Sequence, residues 1–396
     1  MKAEPPAPLS GLRVLDLSRV VSGPFAARML SDLGADVVKV EPPEGDVTRN
    51  WGEVRHGLSG FYTQQNAGKR DICVDVRRPG GADLLRRLAA VADVVIENFR
   101  PGVAERLGVG WADLHALNPR LVMLSISGFP ADGPLAERPA YAPVIHAESG
   151  LLARQAAFDD RPPSDPMLSI ADTNAGLHGL VGLLTALLQR QSTGLGQHVR
   201  IAMIDAMVAT DDYAHHSLDR FPVRRLGGEV WDAPGGPVMI AGEFRHIWRQ
   251  LNRTFGLSDG LGPDAALEQK IKVRRRVVAE WISGCGTRVA VLDGLEAAEL
   301  AWADVPTAES AVDGPARTAW VEIDDRAGGK RRVVMAPYRM SGATVAVPRG
   351  APHRGEHNEE VLDEWLGARQ EVPDLVARGV LLSDQGLAAT EAGGSP

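Results

Sequence analysis

Asp172, in the string ADTNAGLHG, is the residue best placed for covalent chemistry: a single carboxylate at the mouth of an apolar-periodic helix. An Asp there can cap the helix by accepting backbone N–H groups of the first turn. It can equally serve as a nucleophile, since the helix's positive end favours the ionised form and the same N–H groups fix its orientation. Spacing alone leaves both readings open.

Lys69, Arg70, Arg100 and Arg106 flank the ends of strand and helix patterns. Such residues are usually solvated surface charge, yet strand ends in an open parallel sheet are where anionic ligands bind, and phosphates need Arg or Lys there. The first strand-turn-helix, with Glu41 at the end of the second strand, invites a dinucleotide reading. The turn SRVVSGPF argues against it, because with Gly23 as its sole glycine the backbone cannot approach a pyrophosphate closely; neither nicotinamide nor flavin is expected. No Ser stands in a nucleophile-elbow pattern. His353 and His357, four apart, sit among prolines and glycines and read as a solvated turn and helix cap, so no metal is expected.

These residues hang on a recognisable alternation. LRVLDL, ADVVKVE, DICVDV, DVVIEN and RLVMLSIS are short apolar runs separated by helical patterns such as GPFAARMLSDLG and ADLLRRLAAVA, the mark of buried parallel strands joined by crossover helices. The first half is therefore α/β and Rossmann-like. From Asp172 to Gln191, Leu177, Leu180, Val181, Leu184, Leu187 and Leu188 define one apolar helical face, with Ala175, Gly176, Gly179 and Gly182 permitting close approach by another backbone; a buried helix is expected. Glycine and proline in VRRLGGEVWDAPGG suggest a boundary near residue 222. Beyond it, GPVMIAG, TAWVEID and RRVVMAP read as strands, and EFRHIWRQLNRTFG and EQKIKVRRRVVAEWIS as helices, a smaller α+β domain. The last ten residues offer little to bury.

The bulk numbers narrow the class. At 396 residues, two domains or a core shared between subunits is expected. A net charge of -8 repels nucleic acid and anionic membrane, so an anionic ligand must be held by local basic groups. Two cysteines, Cys73 and Cys285, are too few for a disulfide framework. With no signal-like segment and no run of about 18 apolar residues, a cytoplasmic protein away from the membrane is expected.

The strings themselves resemble a known family. PLSGLRVLDLSRVVSGPFAARMLSDLGADVVKVEPPEGDVTR is similar to the opening of class III (CaiB/BaiF) CoA-transferases, and QNAGKRDICVDV, DVVIENFRPGVAERLG, NPRLVMLSISGF, ADTNAGLHG, TGLGQHVRIAMIDA and GEHNEEVLDEWLG follow in the family's order. The match runs from about residue 8 to 367 and is weakest over 223–320. The resemblance implies that Asp172 is the nucleophile. It implies that coenzyme A or its acyl thioester lies along Arg19, Val20, Val21, Asn66, Lys69, Asn98, Phe99, Arg100, Arg106 and Met203, as a substrate exchanged between small carboxylic acids. It also implies an interlocked homodimer, with a large Rossmann-like domain from 1–222 and 338–396 and a small domain from 223–337.

Two departures matter. Several family members carry a glycine-rich loop over the active site, where this chain has Gly227 and Gly228. The family's 2-methylacyl-CoA racemases use a His in the segment that here reads PAYAPVIHAESG; Tyr141 takes that position, and His146 follows five residues later. A racemase or epimerase, and a CoA-binding protein without transferase activity, are the competing expectations.

Overall fold

In the computed structural model, which describes residues 5–219, 227–307, 310–311 and 320–384, the chain groups into two units, Met1–His215 with Ala319–Pro396 and, separately, His216–Thr318. The first runs β1 (Arg13–Asp16), α1 (Ser22–Asp32), β2 (Asp36–Glu41), a short hairpin of β3 (Val54–Arg55) and β4 (Leu58–Ser59), α2 (Gly60–Asn66), β5 (Arg70–Val74), α3 (Gly81–Val91) and β6 (Val94–Glu97). It continues through α4 (Val103–Arg106), α5 (Trp111–Leu117), β7 (Val122–Ser127), α6 (Ala142–Glu148), α7 (Leu151–Asp159), α8 (Ile170–Thr193), β8 (His198–Ala202) and α9 (Met203–Thr210).

The second unit places β9 (Gly228–Trp231), β10 (Val238–Ala241) and β11 (Trp302–Asp304) in one antiparallel sheet. Its core packs Ile240, Ile247, Leu251, Val278, Ile282 and Leu295 together, drawing on helices Phe244–Phe255, Leu267–Gly284 and Arg288–Ala297. The chain then returns to the first unit with β12 (Trp320–Asp324), β13 (Lys330–Val334), helix Asn358–Leu366 and β14 (Leu381–Leu382).

The main sheet has the order β14-β5-β2-β1-β6-β7-β8. All neighbours are parallel except β14, which runs antiparallel on β5. Numbered among themselves, the six parallel strands follow 3-2-1-4-5-6, the Rossmann order, in keeping with the Rossmann-like half expected. Parallel strands need both faces covered. On one face Val14, Ile96, Leu124 and Ile126 pack with α1 and α8; on the other Leu15, Val95 and Met123 pack with α3 and with Val361, Leu362 and Trp365 of the late helix.

Several expectations change. Residues β12 and β13 were expected within a small domain over 223–337, but this hairpin groups with the first unit. Val334 N–H donates to Gln64 Oε1, Gln64 Nε2 donates to the Val334 carbonyl, and Ile323 and Val333 share a core with Leu58 and Tyr62. In α8 the buried positions are Ala171, Ala175, Gly176, Gly179, Leu180, Leu183, Ala186 and Leu187, whereas Leu177, Val181 and Leu188 are exposed. The small residues face the core together with Leu180 and Leu187, while Leu177, Val181 and Leu188 of the predicted apolar stripe face away. Gly176 shows why: a Cβ there would stand 2.8 Å from the Ser22 carbonyl oxygen of α1. Gly228 begins β9, opposite Ala241, instead of belonging to a free loop. The proposed boundary near 222 and the loose final residues lie outside the described residues.

Candidate active site

The switch point of the sheet lies between β1 and β6, where successive crossovers depart in opposite directions and leave a crevice at the strands' carboxyl ends. The turn after β1 is fixed there by side chains. Asp16 Oδ1 accepts the Ser18 N–H at 3.0 Å, and Lys39 Nζ donates to the Ser18 carbonyl at 2.9 Å and to Asp46 Oδ2 at 3.1 Å. Asp46 Oδ2 also accepts the Val20 N–H at 3.1 Å. Val20 is thereby held at φ 68°, a left-handed conformation that a β-branched residue adopts only when its surroundings impose it. Polar anchors thus fix the shape of this turn. Glu41 takes no ribose role: it is buried against Arg49, Tyr62 and the Asp46 N–H.

From the other side of the crevice, Asn98 Oδ1 accepts the Arg19 N–H and Nδ2 donates to the Arg19 carbonyl and, at 3.1 Å, to Ser22 Oγ. Arg19 in turn lies over the Phe99 ring, 5.8 Å from its centroid. The result is a cavity of about 300 Å³ lined by Arg19, Val20, Asn98, Phe99, Arg100 and Met203 from the sequence prediction, with Ser22, Arg138 and Tyr141 added and Asp172 at its wall. Arg19 and Arg100 in the lining suit a ligand carrying phosphates, Arg138 being paired with Glu148, and the apolar atoms of Val20, Ile126 and Met203 suit an uncharged arm.

Asp172 is not the helix cap. Ser169 occupies the N-cap without a side-chain cap bond, and Asp172 is the third helical residue. Its carboxyl is pushed up to about 6, chiefly by burial, against the opposing influence of His146 and a hydrogen bond from Ser22. The helix's positive end was expected to favour the ionised form; burial outweighs it. Asn98 donates to Ser22 Oγ, and Ser22 in turn favours the ionised form of Asp172.

The remaining predicted contacts lie elsewhere. Lys69 is fully buried, donating to Asp16 Oδ2 at 2.8 Å, Asn66 Oδ1 at 2.9 Å and the Pro24 carbonyl at 3.1 Å. Asn66 is buried with it, and Val21 caps α1 inside the core. Arg106 is exposed on α4, outside the cavity lining. The structure thus brings six of the ten predicted contacts into one cavity with Asp172 and spends Lys69 and Asn66 on the interior beneath α1. Ser22 escaped notice because a Ser at a helix start reads as a capping residue.

A second cavity of about 320 Å³ shares Phe99, Arg100, Pro101, Ile126 and Ser127 with the first. Glu97, Ser125 and His198 line it, with Ser125 Oγ 2.8 Å from His198 Nε2. Burial raises the Glu97 carboxyl to about 7.

Among the described residues no group of three or more His, Cys, Asp or Glu side chains is placed to hold a metal ion, and no helix is long and apolar enough to cross a membrane.

Comparison with known proteins gives a consistent result. The family model of CoA-transferase family III matches residues 9–358. A formyl-CoA:oxalate CoA-transferase of Streptomyces avermitilis is 33% identical, the match covering 94% of this chain and 99% of that one. A succinyl-CoA–D-citramalate CoA-transferase of Chloroflexus aurantiacus is 30% identical, covering 93% and 96%. A crystal structure of a CaiB/BaiF family protein from Brucella suis superposes with a TM-score of 0.78 at 29% identity, covering 91% of this chain and all of that one.

Proposed function

We propose, from the premise that this chain belongs to CoA-transferase family III and is a CoA-transferase, that it passes CoA between small carboxylic acids with Asp172 as the covalent carrier. The observation that carries this reading is the Asp172 carboxyl at the wall of the switch-point cavity, beside Arg19, Asn98 and Arg100.

The Asp172 carboxylate attacks the donor thioester carbonyl, forming a mixed anhydride and releasing CoA thiolate. The thiolate attacks the Asp172 carbonyl of that anhydride, leaving an aspartyl-CoA thioester and freeing the donor acid. An acceptor carboxylate attacks the aspartyl thioester, forming a second anhydride and releasing CoA thiolate once more. Attack by that thiolate on the acceptor carbonyl gives the new acyl-CoA and restores Asp172. Bond energy is conserved at each exchange, so no ATP is consumed. A carboxyl raised to about 6 suits this cycle: it is ionised at neutral pH and, less stabilised in that form than an ordinary carboxylate, is the more reactive nucleophile.

A racemase reading lacks its base, because Tyr141 lines the cavity and both His146 ring nitrogens are engaged elsewhere, with Asp165 and the Ala171 N–H. A homodimer is part of the proposal, and the exposed Leu177, Val181 and Leu188 of α8 supply an apolar face that a second copy would cover. The test is to incubate the protein with a panel of acyl-CoA donors, trap with hydroxylamine and map the modification by mass spectrometry. Hydroxamate at Asp172 is expected; CoA transfer with that residue unmodified would sink the reading.

A further inference from the structure

The mouth of α8 has an unusual fastening. An N-cap Ser normally satisfies one of the first-turn N–H groups through its hydroxyl, but Ser169 makes no such bond. The Ala171 N–H instead donates to His146 Nε2 at 3.1 Å, a bond from α6 to the residue immediately before Asp172. The second ring nitrogen, Nδ1, lies 2.8 Å from Asp165 Oδ1, and the His146 side chain is only 1% exposed. Since Nε2 accepts, Nδ1 must carry the ring proton and donate it to Asp165. Asp165 therefore fixes the tautomer, and the tautomer presents a lone pair to the helix.

We propose that His146, oriented by Asp165, is a positioning residue for Asp172: it replaces the missing side-chain cap and sets where the first turn of α8 places the carboxyl against Ser22 and the cavity. The inference rests on the reading of Asp172 as the acyl carrier. Displacements of about 1 Å at a reacting group cost on the order of a hundredfold in rate, so the bond matters to turnover without touching substrate.

Two near-isosteric variants separate the ring's two contacts. In H146Q the amide oxygen reaches the place of Nε2 and still accepts the Ala171 N–H; in H146N the amide nitrogen takes the place of Nδ1, keeping Asp165 and losing Ala171. Expected results are a fall in kcat of roughly ten- to a hundredfold for H146N at nearly unchanged KM for acyl-CoA, and of less than about threefold for H146Q. Hydrogen exchange at the Ala171 amide should accelerate in H146N and stay slow in H146Q. D165L, which releases the tautomer, should resemble H146N and have no further effect when added to H146Q; it also carries the test should H146N fail to fold. Equal turnover in H146N and H146Q, or an Ala171 amide indifferent to both, overturns the proposal. Wild-type protein trapped alongside keeps the two readings apart. Label at Asp172 with indistinguishable variants defeats the positioning role alone, whereas absence of label in the wild type defeats the acyl-carrier reading and the inference built on it.

Discussion

Asn98 grips the backbone of Arg19 from both sides: its Nδ2 donates to the Arg19 carbonyl at 2.7 Å while its Oδ1 accepts the Arg19 N–H at 2.8 Å. The turn after β1 and the turn after β6, 79 positions apart, are thereby locked at the switch point.

Asn98→Ala should loosen that lock. Two backbone groups lose their partner, and Ser22 Oγ loses a donor. We expect stability to fall by about 1–2 kcal/mol and the affinity for CoA, read by calorimetry, to weaken about tenfold. Unchanged affinity would mean that the Arg19 turn does not contact CoA.

Asp172→Asn should abolish transfer and stabilise the fold. Because burial raises the carboxyl to about 6, the stability contributed by its protonated form is fully present below the unfolded value near pH 4 and is lost as pH rises through about 6. An uncharged amide escapes that loss. Urea unfolding should show the variant more stable by about 1–3 kcal/mol at pH 7.5 and little different at pH 4.

The same titration should appear in turnover. The nucleophile is the ionised form, so kcat/KM should fall on the acid side with an apparent pKa of about 6. Ser22→Ala removes a hydrogen bond that favours the carboxylate, and it should move that limb to higher pH. A limb that stays in place in Ser22→Ala would detach Ser22 from Asp172.

Lys69→Met tests whether this lysine serves the ligand or the fold. With Asp16 left buried and unpaired, we expect a loss of about 3–5 kcal/mol in urea unfolding. The fraction that folds should bind CoA with near wild-type affinity and an unaltered salt dependence. A selective loss of CoA affinity at full stability would restore Lys69 to the binding site.

The sheet was legible because its code is local. Five apolar runs with helical spacers point to parallel strands with both faces covered, whereas the order 3-2-1-4-5-6 is visible only in the structure. Asp172 was legible as a carboxylate at a helix mouth, but its environment was not. Ser22 and His146 reach it from α1 and α6, 150 and 26 positions away, and no spacing rule encodes such encounters. Lys69 misled for the same reason: a Lys in NAGKR reads as surface charge or a phosphate ligand until Asp16, 53 positions earlier, is found beneath it. The glycines of α8 were legible as close-approach sites, and Leu180 and Leu187 as core; that Leu177, Val181 and Leu188 face away was not, because periodicity weights large apolar residues over small ones.

The last element of the sheet, β14, reaches β5 only after the whole second unit has been translated. On the ribosome, the edge of β5 and the apolar patch of Leu84, Leu85 and Leu88 stay open until Leu362, Trp365 and Leu381 emerge. An early-exposed edge invites wrong pairing. Stalled nascent chains ending before residue 358 should therefore be protease-sensitive in the α3 region, and this chain's yield in cells should depend on holdase chaperones more than its finished stability suggests.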